Sequence, residues 1–513
     1  MTSVPRPTPR TITLAELCPA TGGFTIIGDS SVLVSGLELD SREVKSGDLF
    51  AALPGHITHG SSFVDSATAA GAVAVLTDDA GAKSLAVNGP VNFPIVVVNS
   101  PRQAIGALAA RVYQVSPGAS ADDPLRLFGV TGTNGKTTVT YLVEAGLRAA
   151  GRMTGVIGTV GVRIGDESMS AIRTTPEAPP LHALLGVMRE RGVQDVAIEV
   201  SSHALMEGRV NGLRFSIAAF TNLSQDHLDY HGTMESYFMA KANLFTPLRA
   251  DMGVIGVDTP WGARLAAEAN IPVVTWSSQG AVADWNLNIV GARTLVNGPG
   301  GEVQELQSRL PGAFNRANNL CAYVMLRSAG IAPDQAAAGL ASVSVPGRMQ
   351  IIGKFAGITG VVDYAHTSDA IAGAIASVRE NCGGAVIVVL GAGGDRDRQK
   401  RHEMGESAAL LADHVIVTDD NPRSEAPALI RAAVMEGARS VTAPSQDQLA
   451  AVVEIADRRA AIFHAVSIAR SGDYVLVLGK GHEQGQEVAG VIIPFDDRDE
   501  LREALQEHSG VES

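Results

Sequence analysis

Leu125-Arg-Leu-Phe-Gly-Val-Thr-Gly-Thr-Asn-Gly-Lys-Thr-Thr138 is the stretch that decides the fold class. Leu125–Val130 is apolar and of buried-strand length, Thr131–Gly135 is a glycine loop, and Lys136–Ala150 suits a helix. A strand passing through a glycine loop into a helix is the opening unit of a parallel sheet. In such a loop backbone amides approach phosphate oxygens, and the helix N-terminus adds partial positive charge. Gly132, Thr133, Asn134, Gly135, Lys136, Thr137 and Thr138 are therefore expected to bind ATP. Lys136 would reach the β/γ-phosphates, and the Thr137 hydroxyl would help to hold Mg²⁺. The general pattern has glycine at Val130, so this is a variant that carries Gly129 and Gly132. A glycine turn with an incidental lysine is the bland alternative, and the strand–loop–helix context disfavours it.

Outward from this unit the alternation continues. Val193–Val200, Ile217–Phe220 and Gly253–Val257 read as strands of the same sheet, and Asn315–Ala329 reads as a helix. After a turn-rich break at Val345–Gly347 the pattern restarts, with strands at Val361–Tyr364, Ala385–Leu390, His414–Val417 and Tyr474–Leu478. Ahead of it lie strand-like Leu33–Leu39, Val73–Leu76 and Ile95–Val98 and a helical stretch after Pro101. They are separated from the glycine loop by the Ser/Pro/Gly/Asp-rich segment Ser116–Pro124. The expectation is an α/β protein of three domains. A smaller N-terminal α/β domain (1–118) precedes a central P-loop ATPase-like parallel sheet (119–345) and a C-terminal Rossmann-like domain (346–513). Ligands of such sheets sit beyond the C-terminal ends of the strands.

Composition agrees with several domains. A chain of 513 residues is too long for one core, and 45% hydrophobic with 18% charged residues excludes general disorder. Lys and Arg number 40 against 54 Asp and Glu, a formal charge of −14 that disfavours broad nucleic-acid binding. Any anionic ligand needs a local pocket. Three scattered cysteines provide neither a disulfide framework nor a Cys-based zinc site. The first ten residues do not read as a signal peptide, and no run approaches membrane-spanning length. A cytoplasmic protein is expected.

Polar residues gather where the strands end. Glu199, closing Ala197-Ile-Glu-Val-Ser-Ser-His203, is placed for a second metal contact, although Ser201 and Ser202 also suit a helix start. Thr221-Asn-Leu-Ser-Gln-Asp-His-Leu-Asp-Tyr-His231 offers His227 and Asp229 as metal or phosphate ligands, but a segment of this composition is more often a solvated loop. Lys241, among apolar and aromatic neighbours, is expected to snorkel to water. Four strand ends of the third block carry Asp363 and His366, Arg396, Arg423, and Glu483. Arginine forks suit carboxylates, and Glu483 beside them suits a substrate that also carries an ammonium group, an amino acid.

Together these residues resemble the Mur ligases, the ATP-dependent amino-acid ligases of peptidoglycan synthesis. The likeness runs nearly end to end. It rests on Gly132–Thr138, Thr174-Thr-Pro176, Glu199–His203, Asn222–Asp229, Lys241 and Asp363-Tyr-Ala-His366. In the first domain it rests on Leu39-Asp-Ser-Arg42, Gly47-Asp-Leu-Phe50 and Gly55-His56. Asp420-Asn-Pro-Arg423 is similar to the signature of the family members that add meso-diaminopimelate. The resemblance implies a monomer that joins this amino acid to UDP-N-acetylmuramoyl-L-alanyl-D-glutamate. It gives Arg396, Asp420, Asn421, Pro422, Arg423, Gly479 and Glu483 to the diaminopimelate. Leu39, Ser41, Thr174, Thr175, Ser201 and Arg209 would contact the nucleotide-sugar peptide. Thr137, Glu199, His227 and a carbamylated Lys241 would hold Mg²⁺. Lys136, Lys241, His203 and His366 are the catalytic candidates, the two histidines as possible bases. No nucleic acid and no membrane partner is implied.

The sequence departs from the family pattern at Gly256, Asp258 and Thr259, where relatives often carry Asn and two Asp. It also departs at Glu207, a Gln in relatives, and at Thr367-Ser368, where proline is common. Two other ligases of this fold, a folylpolyglutamate synthetase and a lysine-adding Mur ligase, are disfavoured by Asp420–Arg423 and Leu39–Arg42. A non-catalytic nucleotide-binding scaffold would have no chemical need to keep Glu199, His227 and Lys241 together.

Overall fold

The apolar runs assemble into three principal sheets in the computed structural model of the chain, which describes residues 4–55, 57–87, 92–115, 125–170, 173–441 and 450–511. His56 and the Ser/Pro/Gly/Asp-rich segment Ser116–Pro124 lie outside the described residues. The N-terminal sheet has five strands, in the order Thr25–Ile27, Ile95–Val97, Ala74–Thr77, Asp48–Ala51 and Gly36–Glu38. Only its first pair is antiparallel. The sequence had suggested one strand over Leu33–Leu39. Instead Leu33–Val34 pairs with Ile12–Thr13, and the chain moves to the larger sheet at Gly36.

The central sheet has eleven strands. Its middle is parallel, with Thr154–Gly158, Asp195–Glu199, Arg126–Thr131, Ile217–Phe220, Gly253–Gly256, Val273–Ser277 and Trp285–Val290 as neighbours in that order. Antiparallel strands extend both edges: Gly161–Ile164 with Glu167–Met169 on one, and Arg293–Asn297 with Val303–Leu306 on the other. The parallel sheet expected from the sequence is thus its seven-stranded middle, and the antiparallel edges are additions that the sequence did not indicate. Glu167–Met169, Arg293–Asn297 and Val303–Leu306 are partly exposed and rich in polar residues, so they lack the apolar run that marks a buried strand, and Gly161–Ile164 is too short to show one.

Register places the site. Glu199 pairs with Val130, and Phe220 pairs with Thr131, so three neighbouring strands end at one level. The loops that follow, from 132, 200 and 221, therefore emerge side by side.

The C-terminal sheet has six strands, all parallel except Gln350–Phe355 at one edge. Val386, Val388 and Leu390 enter one core layer and Ile387 and Val389 the other. Alternate side chains point to opposite faces, and helices cover both, so the strand shows no polar alternation. Asp363 pairs with Leu478 and Leu390 with Val417, which again aligns four loops at one edge.

Domains are joined unequally. Ile105, Leu108 and Val112 of helix Pro101–Val112 share a core with Leu181, Leu184 and Leu185 of helix Ala178–Glu190, so the first two sheets are bound through apolar packing. Beneath the functional edge of the third sheet lies a wholly buried ion pair. Arg458 Nε and Nη2 each stand 2.7 Å from an Asp497 carboxylate oxygen, with both side chains at 0% exposure. Arg458 also donates to Leu478 O at 2.9 Å and Asp419 O at 3.3 Å, which fixes the starting points of two loops. Asp497→Ala leaves an uncompensated buried guanidinium and should cost about 3–5 kcal/mol. A urea midpoint equal to that of the wild type would contradict this.

Candidate active site

Strand Arg126–Thr131 delivers the chain into the glycine loop with backbone angles that side chains resist. Gly132 has φ +146° and Gly135 φ +86°. A Cβ at Gly132 would run into the Thr221 hydroxyl, and one at Gly135 into the Asn318 side chain. Lys136 opens the following helix and folds back, donating to Gly132 O at 3.0 Å and Thr133 O at 2.8 Å. Burial lowers its pKa, which Glu199 and Asp226 oppose. The loop is thus already curled around an ammonium, the geometry in which phosphate oxygens can meet both the amine and the helix N-terminus.

The Thr137 hydroxyl donates to Glu199 Oε2 at 3.0 Å. Glu199 is 0% exposed and also receives the Thr159 amide at 2.8 Å and hydroxyl at 3.0 Å. His227 takes a left-handed conformation (φ +55°) with Nε2 3.3 Å from Asp226, and its ring lies 4.8 Å from that of His203. Burial holds the His227 and His203 imidazoles neutral, the form that binds metal or accepts a proton. The segment around them is not the solvated loop that composition suggested: Asp226 and His231 are buried, and His231 pairs with Ser202 Oγ at 2.9 Å. Burial alone would raise the Asp226 carboxyl, but His227, which is protonated in the acid range where that carboxyl titrates, and the Lys400 ammonium hold it below its usual range.

Lys241 does not snorkel. It is 1% exposed, points inward, and donates to Gly132 O at 2.8 Å from a position 4.5 Å over the Tyr237 ring. The helix Met234–Ala242 turns this face toward the glycine loop and away from the surface. Burial, followed by the charge of Lys136, takes its pKa well below the ordinary lysine value. An uncharged amine is the form that adds CO₂ to give a carbamate.

Thr174, Thr175, Ser201 and Arg209 form one hydrogen-bonded patch beside Glu199. Thr159 joins Thr174 at 3.0 Å, Thr175 donates to Glu199 O at 2.6 Å and accepts from Ser201 N at 3.1 Å, and Arg209 donates to Thr175 O at 3.1 Å. Arg209 stands between Glu207 at 2.6 Å and Glu177 at 3.1 Å. Glu207 therefore forms an ion pair that a glutamine would not. Leu39 and Ser41 lie past the end of strand Gly36–Glu38, and among the described residues no side-chain hydrogen bond joins them to this patch.

At the edge of the third sheet Asp420, Asn421, Gly479 and Glu483 converge. Asn421 Nδ2 donates to Glu483 at 2.8 Å, and a Cβ on Gly479 would sit 2.9 Å from Asp420 Oδ2. Pro422 leads into Arg423, whose positive φ of +52° is held by two backbone bonds, Arg423 N to Glu487 O at 3.0 Å and Ala489 N to Arg423 O at 2.8 Å. The Arg423 guanidinium donates to Gly394 O at 2.6 Å and lies 3.4 Å from Glu487. Arg396, exposed, flanks Gly393 together with the Arg423 guanidinium. His366 donates Nδ1–H to Tyr364 O at 2.8 Å, which leaves Nε2 as an acceptor, and burial lowers its pKa to about 4.

Three family models match the chain in sequence order. They are the Mur ligase family catalytic domain at 33–113, the Mur ligase middle domain at 130–326 and the Mur ligase glutamate ligase domain at 347–481. Over 514 residues the chain is 49% identical to the UDP-N-acetylmuramoyl-L-alanyl-D-glutamate–2,6-diaminopimelate ligase of Streptomyces coelicolor, covering 99% of both chains. The chain belongs to the Mur ligase family. The Corynebacterium glutamicum protein of the same description is 47% identical over 94% of this chain and 93% of its own. A solved UDP-N-acetylmuramoyl-L-alanyl-D-glutamate–2,6-diaminopimelate ligase superposes with TM-score 0.66 at 32% identity, over 97% and 99% of the two chains. E. coli FolC with DHPP and ADP (TM-score 0.59, 19% identity, 80% and 93% covered) shares the fold.

Several residues of this Mur ligase site escaped the sequence reading because their role needs two domains. Arg348, just past the Val345–Gly347 break, donates to Thr137 Oγ1 at 3.0 Å and lies 4.1 Å over the Tyr364 ring. Asp363 holds it there by accepting from Met349 N at 2.7 Å. Lys400 Nζ is 3.5 Å from Asp226, and His482 Nε2 is 3.1 Å from Thr159 O. Asn318, buried against Gly135, is a further omission, signalled only by three asparagines at the start of an otherwise apolar helix. The departures are used structurally. Asp258 accepts from Ser277 and Ser278, Thr259 caps the helix Pro260–Glu268, and Thr367 caps Ser368–Arg379. Lys241→Ala should lower turnover by about 100-fold or more while ADP still binds. A ¹³C-carbamate signal from labelled bicarbonate should appear in the wild type alone; its persistence in the variant would exclude Lys241 as the modified residue.

Proposed function

We propose that this Mur ligase joins meso-diaminopimelate to the D-glutamyl residue of UDP-N-acetylmuramoyl-L-alanyl-D-glutamate with consumption of ATP. The single observation that carries the choice of amino acid is the Asp420–Arg423 loop, clamped beside Glu483 and Gly479 at the mouth of the third sheet. The near-complete match to relatives described as 2,6-diaminopimelate ligases supports it.

In the proposed reaction the D-glutamyl γ-carboxylate attacks the γ-phosphorus of ATP, ADP leaves, and an acyl phosphate results. The L-centre amine of diaminopimelate then attacks the acyl carbon, phosphate departs, and the amine proton goes to a base. The glycine loop amides and Lys136 hold the phosphates and offset charge as it shifts toward ADP. Arg348 brings a guanidinium from the third domain to Thr137, so the phosphate end of the pocket is built from two domains. His203 and His366 remain the candidate bases. Each is held neutral by burial, and His366 has a free Nε2.

The donor set fits Mg²⁺. The Thr137 hydroxyl and Glu199 carboxylate are hard oxygens 3.0 Å apart, and a carbamate on Lys241 would add another. Thr137, Glu199, His227 and carbamylated Lys241 would hold the ion, which when bound neutralises phosphate charge. Thr174, Thr175, Ser201 and Arg209 would receive the peptide, with Leu39 and Ser41 on the uridine side. No helix among the described residues is long and apolar enough to cross a membrane. The reading includes a cytoplasmic monomer acting on three small molecules.

Arg423 would pair with the distal carboxylate of diaminopimelate by releasing Gly394 O and Glu487. Lysine lacks that carboxylate and would leave the guanidinium unmatched. Phosphate release should therefore depend on diaminopimelate and not be supported by L-lysine; release with lysine alone would overturn the choice of amino acid. Lys136→Ala should abolish turnover. Arg423→Ala should raise the KM for diaminopimelate by about 100-fold and leave that for ATP near wild type. Equal effects on both constants would argue against a role in substrate choice.

A further inference from the structure

Lys480 is 0% exposed, a charged side chain closed off at the mouth of the third sheet. It follows Gly479, whose φ of +116° turns the chain inward at the end of strand Tyr474–Leu478. Its ammonium donates to Asn421 Oδ1 at 2.9 Å and lies 3.4 Å from Asp420 and 3.5 Å from Glu483. Asn421 connects the group. Its Oδ1 accepts from Lys480 and from Glu487 N at 2.9 Å, and its Nδ2 donates to Glu483 at 2.8 Å. A lysine kept wholly from water is costly unless its charge is matched, and here it faces two carboxylates on two different loops.

We propose that Lys480 is a positioning residue of the amino-acid site, whose ammonium, between the two loops, keeps Glu483 ionised beside Asp420 so that the pair receives an ammonium group of the substrate. The proposal rests on the functional reading given above and adds the charge state in which the site works. Two carboxylates sharing a buried site normally retain a proton between them, because like charges at close range resist joint ionisation. Burial and the neighbouring Asp420 both push Glu483 upward, while Lys480 and Asn421 oppose them. The other groups around it do not substitute for Lys480. Burial raises the Tyr364 phenol and keeps it neutral, and the Arg458 guanidinium is balanced by Asp497. A protonated Glu483 would present a hydrogen where the substrate ammonium needs an acceptor.

The sign of the effect follows. Removing the ammonium raises the Glu483 pKa further, so the protonated fraction of the carboxyl increases and falls again as pH rises. The test measures KM for diaminopimelate and for ATP in wild type and Lys480→Met from about pH 6.5 to about pH 8.5, as variant-to-wild-type ratios so that substrate ionisation cancels. The diaminopimelate ratio is expected near about tenfold at neutral pH, shrinking severalfold toward the alkaline end, with the ATP ratio close to unity. A raised ratio that does not change with pH would overturn the proposal, since loss of packing alone would give that result. An unchanged KM would overturn it as well. Lys480→Gln, which keeps a donor for Asn421 without the charge, should show the same pH dependence and decides the matter if the methionine variant does not fold. Wild type that fails to use diaminopimelate at any pH would instead defeat the underlying functional reading.

Discussion

Charge without water is the constraint on which the junction of the second and third sheets depends. Lys241, Lys480, Glu199, Asp226 and Asp363 are buried and Lys136 is half-buried, and each must be matched by protein groups or change its protonation state. Lys136 is matched by loop carbonyls, Glu199 by hydroxyls and an amide, and Asp363 by the amides of Met349 and Ala365. Lys241 has one carbonyl and a ring face, and burial takes its pKa well below the ordinary lysine value. The same requirement explains why the strand ends must align, since only neighbouring loops can supply so many partners within hydrogen-bond distance.

Much of the fold was legible because buried parallel strands announce themselves as short apolar runs. Ile217–Phe220, His414–Val417 and Tyr474–Leu478 have the limits that the sequence suggested. The helix after the glycine loop ends within one residue of its expected end. The antiparallel edges of the central sheet were invisible for the complementary reason. Arg293–Asn297 and Val303–Leu306 expose much of their length, so their pattern is that of surface.

The candidate site was legible in its parts and illegible in its joints. Glu199, Thr137 and the glycine loop follow from a motif and its neighbouring strand. Arg348 and Lys400 carry no local signal; their partners Thr137 and Asp226 lie 211 and 174 residues away. Lys241 was misplaced by an amphipathic pattern that gives a lysine no reason to turn inward. Its inward course depends on Gly132 O, a backbone atom more than a hundred residues earlier in the chain. Pattern reading describes one element at a time, whereas these contacts belong to pairs of elements.

The linker at Gly347–Met349 has a mechanical meaning. It is pinned by Asp363 on one side and touches the nucleotide loop through Arg348 on the other. If this point is the fulcrum for rotation of the third domain, the arc travelled by any atom grows with its distance from the fulcrum. Arg348, next to it, would stay near Thr137 throughout the swing, while the Asp420–Arg423 loop would travel furthest. One rotation would then leave the phosphate end almost still and sweep the amino-acid end in and out of register, a lever with its short arm at ATP.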